Sequence, residues 1–275
     1  MKTRIKLWVK IVIFLIILIT TIFIYGRFIN TSGFIVKEYS IKGNVPSEFK
    51  IIQISDINYK HTTNKKDLKN IINKINFIDP DIVIFTGDLL NESITYSEND
   101  INDITKLLNK IDAKIDKIAI KGEEDDNEYF EKIMNDSNFT ILNNDYKLIY
   151  KKIKTPILIA GINDTNENID NIYEYLNNNN IFSILLLHKP DNIKDINYNK
   201  FNLIFSGHSI NGYINIPGIK NLFLEEGSKK YYEEYYKIDN TKLYISNGIG
   251  TKNIKFRFLN KPSINFYRII KKWYH

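Results

Sequence analysis

Residues 81–91, Asp-Ile-Val-Ile-Phe-Thr-Gly-Asp-Leu-Leu-Asn, form the stretch around which the fold is organised. The apolar, mostly β-branched run 82–85 lies between Pro80 and the pair Gly87-Asp88. This pattern predicts a buried strand that ends abruptly at an acidic side chain. Gly-Asp is also a common way to turn the chain after a strand, so this stretch alone does not indicate chemistry.

Other stretches repeat the same design of an apolar run that ends at a polar side chain. Ligands of open α/β sheets bind beyond the carboxyl ends of the strands, so these ends predict one shared site. The chain has only four histidines, and two of them end strands in this way, which favours a metal site. The runs are 50–54 before Ser55-Asp56, 118–120 before Lys121-Gly122-Glu123-Glu124-Asp125, 184–187 before His188, and 203–205 before Ser206-Gly207-His208.

Strand and helix patterns alternate in the first half of the chain, whereas short strands dominate the second half. This order predicts an α/β fold, a sandwich of two mixed β-sheets flanked by helices. Helices are expected at 65–77, 100–111, 127–134 and 167–176. Strands are expected at 34–39, 50–54, 82–86, 117–120, 139–142, 146–150, 156–161, 182–187, 202–206, 213–216, 222–224, 242–246 and 264–270.

The segment 7–25 contains Lys10 as its single charge and is otherwise apolar apart from threonines. As a helix it would span roughly 28 Å, close to the ~30 Å of a hydrocarbon layer. It predicts one transmembrane anchor, and a cleaved signal peptide is disfavoured because no Ala-x-Ala-like site follows. The expected divisions are a basic N-terminus (1–6), the anchor (7–25), a linker with a lead-in strand (26–47) and the main domain (48–275).

Charge is distributed unevenly along the chain. Residues 1–30 contain five basic residues and no acidic ones, whereas the remainder has 33 basic against 32 acidic residues. The positive-inside rule therefore predicts a cytoplasmic N-terminus and an extracytoplasmic domain in the cell membrane. The near-neutral remainder argues against a nucleic-acid partner, and the lack of cysteine excludes disulfides and thiolate chemistry.

The ordered motifs resemble those of the calcineurin-like metallophosphoesterases. That family has Asp-x-His, Gly-Asp-x-x-Asp/Asn, Gly-Asn-His-Asp/Glu, a lone His, and Gly-His-x-His. The endings 244–251 and 256–262 look like the membrane-anchored bacterial branch of the family. The matching positions are Asp56-x-Asn58, Gly87-Asp88-Leu89-Leu90-Asn91, Gly122-Glu123-Glu124-Asp125, His188 and Gly207-His208-Ser209-Ile210.

The resemblance implies a pair of divalent cations of the Mn, Fe or Zn class. Asp88 would bridge the two, and Asp56 would serve the first cation. His188 and His208 would serve the second, joined by Glu123. The implied substrate is a phosphate ester, and the anchor makes the cell envelope its expected source.

Three positions depart from the family pattern. Asn58 and Ile210 stand where the first metal should have histidines, so only a weak Asn58 oxygen could replace them. Glu124 stands where a histidine should assist the reacting phosphate and its leaving group. Glu124 is thus a doubtful catalytic replacement, because an ionised carboxylate repels phosphate and donates no proton.

Three functions remain open from the sequence. The first is a membrane-anchored, metal-dependent hydrolase of phosphomonoesters or phosphodiesters, with one firm metal site. The second is a catalytically impaired surface protein that keeps the fold for binding or structure. The third is a serine hydrolase, because Gly207-His208-Ser209-Ile210-Asn211 approaches the Gly-x-Ser-x-Gly elbow, with Asn211 in place of the last glycine.

Overall fold

The computed structural model of the protein describes residues 6–125, 128–152, 154–163 and 169–272. Its α-helices are α1 Leu7–Ile24, α2 Lys65–Ile78, α3 Glu98–Leu108, α4 Glu128–Asp136 and α5 Asp170–Asn178. Its strands are β1 Ile35–Gly43, β2 Phe49–Ile54, β3 Ile82–Thr86, β4 Asp116–Ile120, β5 Thr140–Ile141, β6 Asp145–Ile149, β7 Ile157–Ile162, β8 Ser183–Leu187, β9 Leu203–Ser206, β10 Tyr235–Ile238, β11 Thr241–Ile245 and β12 Ser263–Lys271.

The strands form two six-stranded sheets, ordered β1-β12-β2-β3-β4-β5 and β10-β11-β9-β8-β7-β6. Within them, β2, β3 and β4 run parallel to one another, as do β7, β8, β9 and β11. Antiparallel pairs, such as β12 with β2 and β6 with β7, make both sheets mixed. Mixed sheets flanked by helices are the predicted fold class, which is confirmed.

The core is divided into three apolar layers. One layer packs α2, α3 and α4 against the outer face of the first sheet. A second lies between the sheets, and a third lies under α5 on the second sheet. The central strands are buried on both faces, so they read as continuous apolar runs rather than as alternating ones.

Several details differ from the predicted elements. The predicted strand 213–216 is wrong, because these residues form only an isolated bridge between Ile214 and Phe258. The predicted strand 222–224 is wrong: a 3₁₀ helix covers Lys220–Phe223, and Leu222 is 79% exposed because no sheet lies beside it. Strand β10 was missed because its exposure alternates without a strong apolar face. The predicted starts of α4 at 127 and of α5 at 167 fall outside the described residues, as do residues 1–5.

The apolar helix at the N-terminus extends beyond its predicted end. Helix α1 continues into a π-helical turn over Tyr25–Ile29, and the combined helix Leu7–Ile29 is long and apolar enough to cross a membrane. Residues 26–29, expected in the linker, therefore belong to the helix.

The end of this helix packs on the loop 256–258. The Arg257 N–H donates to the Gly26 carbonyl (3.1 Å), and the Asn30 side-chain amide donates to the Arg257 carbonyl (3.1 Å). Phe23 stacks on Phe256 at 6.2 Å between ring centroids. The helix is thus joined to the folded domain by defined contacts.

Gln53, buried on β2, connects the two sheets at the edge where the polar strand ends lie. Its amide nitrogen donates to the Thr86 hydroxyl (3.0 Å) and to the Ser206 carbonyl (2.8 Å). Its amide oxygen accepts from the Tyr267 hydroxyl (2.8 Å). A buried amide whose hydrogen bonds are made fixes the relative position of the strands around it.

We predict that Gln53→Leu lowers the free energy of unfolding by about 2–3 kcal/mol, because the Tyr267 hydroxyl loses its buried acceptor. Urea unfolding of the detergent-solubilised protein measures this loss. A change below about 0.5 kcal/mol would show that these hydrogen bonds contribute no net stability.

Candidate metal centre

The predicted site residues lie on loops that leave parallel strands at the same edge of the sandwich. Asp56, Asp88 and Glu123 follow β2, β3 and β4 of the first sheet. His188 and His208 follow β8 and β9 of the second sheet. The carboxyl ends of parallel strands meet at one edge, so distant parts of the chain reach a common region.

The backbone turns sharply at these strand ends. Asp56 (φ 52°), Asn58 (47°) and Asp88 (61°) adopt the left-handed conformation, which Asp and Asn tolerate. His208 (62°) and Ile210 (43°) adopt it as well, which costs more for a bulky or β-branched residue. Such strained positions persist only where the surrounding structure holds them, and they cluster at functional sites.

Asp88, His188 and His208 each place one ligand atom within 4.8 Å of the others, and all three side chains are buried. His188 Nδ1 lies 2.6 Å from the Thr86 carbonyl, and His208 Nε2 lies 2.6 Å from the Glu226 carbonyl. A carbonyl only accepts, so each of these two nitrogens carries a proton.

The opposite ring nitrogens are buried and make no well-aligned hydrogen bond. His188 Nε2 lies 3.2 Å from an Asp88 carboxylate oxygen, and His208 Nδ1 lies 3.6 Å from a Glu123 oxygen. A histidine that donates one nitrogen to a carbonyl and leaves the other free is the usual orientation of a metal ligand. The residues present therefore fit a divalent cation.

The electrostatics of this group favour a positive charge. Burial by itself would lower the pKa of His188, but the Asp88 and Asp56 carboxylates outweigh it and raise this pKa to about 10. Burial, with the nearby His188, lowers the pKa of His208 and keeps that imidazole neutral. Burial opposes ionisation of Asp88, yet His188 holds its pKa below the usual range. A divalent cation would supply the charge that a proton on His188 otherwise provides.

Asp125, a fully buried carboxylate, holds the loop of Asp88 in place. It accepts N–H groups from Asp88 (2.8 Å), Leu89 (2.9 Å), Leu90 (3.2 Å) and Gly122 (3.0 Å). Burial, with the neighbouring Asp88 carboxylate, raises the pKa of Asp125 to about 7 despite these donors. The sequence showed Asp125 within a motif but gave it no role.

Glu123 belongs to a second group of possible ligands, together with His208 and Glu225. Lys189 Nζ lies 2.6 Å from one Glu123 oxygen, and Lys252 Nζ contacts the other. Burial would raise the pKa of Glu123, but these lysines lower it. Glu225 was not predicted, because it lies in an irregular loop outside every motif.

The comparisons with known proteins agree with this geometry. The family model described as calcineurin-like phosphoesterase matches residues 49–245. The chain is a calcineurin-like phosphoesterase.

Its relatives include bacterial and animal proteins of the same family. It is 30% identical over 257 residues to the uncharacterized metallophosphoesterase YkuE of Bacillus subtilis, covering 89% of this chain and 88% of YkuE. It is 24% identical to the UDP-2,3-diacylglucosamine pyrophosphatase LpxG of Chlamydia trachomatis, over 82% of this chain and 87% of LpxG. A zebrafish (Danio rerio) transmembrane protein with a metallophosphoesterase domain is 22% identical, over 78% and 52% of the two chains.

In this phosphoesterase, Asp56 lies outside both ligand groups of the described residues. Its two carboxylate oxygens accept the His208 N–H at 3.1 and 3.2 Å. Burial, opposed by His188, raises its pKa to about 7. The Asn58 side-chain oxygen accepts the Asn91 amide at 2.8 Å. The structure thus engages both predicted first-metal residues in hydrogen bonds within the protein.

The histidine missing at position 210 is replaced by a buried apolar group. Ile210 keeps a positive φ, although a β-branched residue disfavours it. A methyl group built on Gly248 would lie 2.8 Å from Ile210 Cγ2 and 2.9 Å from Asp56 Cβ. Ile210 and Asp56 therefore both border Gly248, and an apolar side chain stands where the family pattern has a histidine.

Glu124, the residue at the family's histidine position, is also engaged. One of its oxygens accepts the Glu92 N–H (3.0 Å), and the other lies 2.8 Å from Lys252 Nζ.

Ser209 donates to the Tyr232 carbonyl (3.4 Å), and residues 207–219 contain no helix of the kind a nucleophile elbow requires. The structure thus lacks the feature on which the serine-hydrolase hypothesis depends.

We predict that Asp125→Asn weakens binding of Mn²⁺ by at least about tenfold, because an amide nitrogen would face the backbone N–H groups that orient Asp88. Calorimetric titration of the metal-free protein measures the affinity. The control Asp136→Asn changes an exposed carboxylate at the end of α4 and should leave the affinity unchanged. Equal affinities for the two variants would contradict the assigned role of Asp125.

Proposed function

We propose that this chain is a membrane-anchored, metal-dependent hydrolase of phosphomonoesters or phosphodiesters that works with one firm cation site. The observation that carries the proposal is the pair of buried ring nitrogens, His188 Nε2 and His208 Nδ1, which face the Asp88 and Glu123 carboxylates and make no well-aligned hydrogen bond. Their tautomers are set for ligation by carbonyl partners, as described above.

A divalent cation bound there would polarise a phosphoryl oxygen and lower the pKa of water. The chain's own cations extend this positive region, because Lys189 and Lys252 lie on either side of Glu123. A phosphate group can replace a carboxylate as the partner of a lysine. We infer that these two lysines orient the substrate phosphate.

Glu124 has a different role in this proposal from that of the family's histidine. The Glu124 carboxylate accepts the Glu92 N–H and pairs with the Lys252 ammonium group. We infer that Glu124 positions Lys252 and that Lys252 stabilises charge on the leaving oxygen.

The second candidate function is a surface protein that binds a cation or a phosphate ligand without turnover. The hydrogen bonds of Asp56 and Asn58, together with Ile210, favour it because they replace the ligand set of a first metal. Two-metal clamping of both reacting oxygens would then be lost.

Metal analysis combined with turnover separates these two functions. We predict that the detergent-solubilised protein binds a single Mn²⁺ or Zn²⁺ per chain and hydrolyses bis(p-nitrophenyl) phosphate, and that EDTA and Asp88→Ala abolish both properties. Metal binding without turnover would leave only the second candidate. Equal metal content in wild type and Asp88→Ala would show that the proposed site is wrong.

We further propose that the N-terminal helix anchors the domain outside the cell membrane and that the substrate is an amphiphilic phosphate ester of the envelope. The basic residues before the helix support this orientation. The relative LpxG carries a name that specifies a diacylated sugar nucleotide, which is an amphiphile. The apolar side chains of Phe28, Ile254 and Leu259 are 61%, 60% and 53% exposed near the helix end.

The loop 256–258 connects this exposed apolar face with the site. The Arg257 backbone bonds to the helix at Gly26, while its guanidinium donates to the carbonyls of Gly248 and Gly250. The Gly250 N–H in turn donates to the Asp56 carbonyl at 2.6 Å. The loop 256–258 would therefore link the membrane-anchoring helix to the candidate site.

We predict that the double variant Ile254→Ser/Leu259→Ser hydrolyses bis(p-nitrophenyl) phosphate at the wild-type rate in proteoliposomes. Its rate on p-nitrophenyl hexadecyl phosphate should fall about tenfold, because apolar contact with the bilayer is lost. The two probes share a leaving group and differ in their apolar tail. Equal losses on both probes would contradict a membrane-facing substrate.

A further inference from the structure

We propose that Glu225 is an additional ligand of the cation bound at His208, so that the site comprises Asp88, His188, His208, Glu123 and Glu225. This inference rests on the proposed metal site and assigns it a residue that the family motifs do not contain. The ligand class is a divalent cation that accepts carboxylate oxygen and imidazole nitrogen together, such as Mn²⁺ or Zn²⁺.

The first reason is geometric. Carboxylate oxygens of Glu123 and Glu225 and a ring nitrogen of His208 all lie within 4.8 Å of one another. His208 Nε2 is engaged with the Glu226 carbonyl, so Nδ1 is the nitrogen with a free lone pair. The same histidine belongs to the group with Asp88 and His188. His208 Nδ1 lies 3.6 Å from a Glu123 oxygen, so a cation bound at this shared histidine would have ligands of both groups nearby.

The second reason is the way in which Glu225 is held. The Tyr213 hydroxyl donates to its Oε1 at 2.8 Å, and the Asn253 side-chain amide donates to the same oxygen at 3.1 Å. Two donors on one oxygen orient the carboxylate. Metal ligands are commonly oriented by such hydrogen bonds from residues that do not contact the metal themselves. Neither Tyr213 nor Asn253 belongs to a family motif identified in the sequence.

The third reason is the composition of the site. The chain lacks both histidines of the first metal, and the apolar Ile210 takes one of their places. A cation without a neighbouring metal shares no ligand with it, so its remaining coordination positions are filled by water, by substrate or by protein groups within reach. Glu225 offers an oxygen within 4.8 Å of ligand atoms of His208 and Glu123.

Calorimetric titration of Mn²⁺ into the metal-free, detergent-solubilised full chain tests this inference. Glu225→Gln should weaken binding about 100-fold, because a neutral amide replaces a charged ligand. The matched control Glu226→Gln alters the exposed side chain next in sequence and keeps the backbone carbonyl that orients His208. It should bind Mn²⁺ as wild type does.

A second readout distinguishes ligation from a loss of fold. The Co²⁺ complex of wild type should change its visible absorption on Glu225→Gln, because the intensity depends on coordination number, while the melting temperature of the metal-free protein stays the same. Wild-type Mn²⁺ affinity and an unchanged Co²⁺ spectrum in Glu225→Gln would overturn the inference. If Asp88→Ala also bound Mn²⁺ normally, the proposed metal site itself would fail.

Discussion

The site depends on one buried carboxylate, Asp125, which lies outside the proposed set of metal ligands. Asp125 accepts four backbone N–H groups from the loops after β3 and β4, which fixes the distance between those loops. Asp88 can then accept the Glu124 N–H (3.0 Å) through one carboxylate oxygen and place the other 3.2 Å from His188 Nε2. Burying a charged group without hydrogen-bond partners costs free energy. Asp125 therefore needs these four donors in order to be buried. Rotation of this loop would move Asp88 away from both histidines.

Charge balance explains how the buried carboxylates are accommodated although two histidines of the family pattern are absent from the sequence. Asp56, Asp88 and Asp125 lie together in a buried region, and burial raises the pKa of Asp56 and of Asp125 to about 7. Arg257, fully buried, lies close enough to Asp56 to favour its ionised form, although burial lowers the Arg257 pKa to about 10. The protein's own cation thus replaces part of the positive charge that a first metal would bring. On the side with His188 and His208, a proton on His188 or the proposed divalent cation would supply the positive charge.

The contacts between the N-terminal helix and the loop 256–258 define how the helix is oriented relative to the site. The π-helical turn brings Gly26 against Phe256, where any larger side chain would overlap the ring. The adjoining loop contributes Arg257 to the surroundings of Asp56. A flexible linker would have left the distance between the apolar helix and the site undefined. The contacts of Gly26 and Arg257 restrict this distance. Exposed apolar side chains on the same loops would suit a membrane–water interface.

The sequence determined the sandwich, the strand ends and the order of the motifs, because buried parallel strands require long apolar runs and a metal site requires particular ligand types. It also located the departures at Asn58, Glu124 and Ile210. It could not reveal Asp125 as an acceptor of four N–H groups, or Glu225 beside His208, because both depend on side-chain positions between loops far apart in the chain. It placed the end of the helix too early, since a π-helical turn has no distinct periodicity. Tertiary structure decided these points, because the distance between two side chains depends on how the whole domain packs.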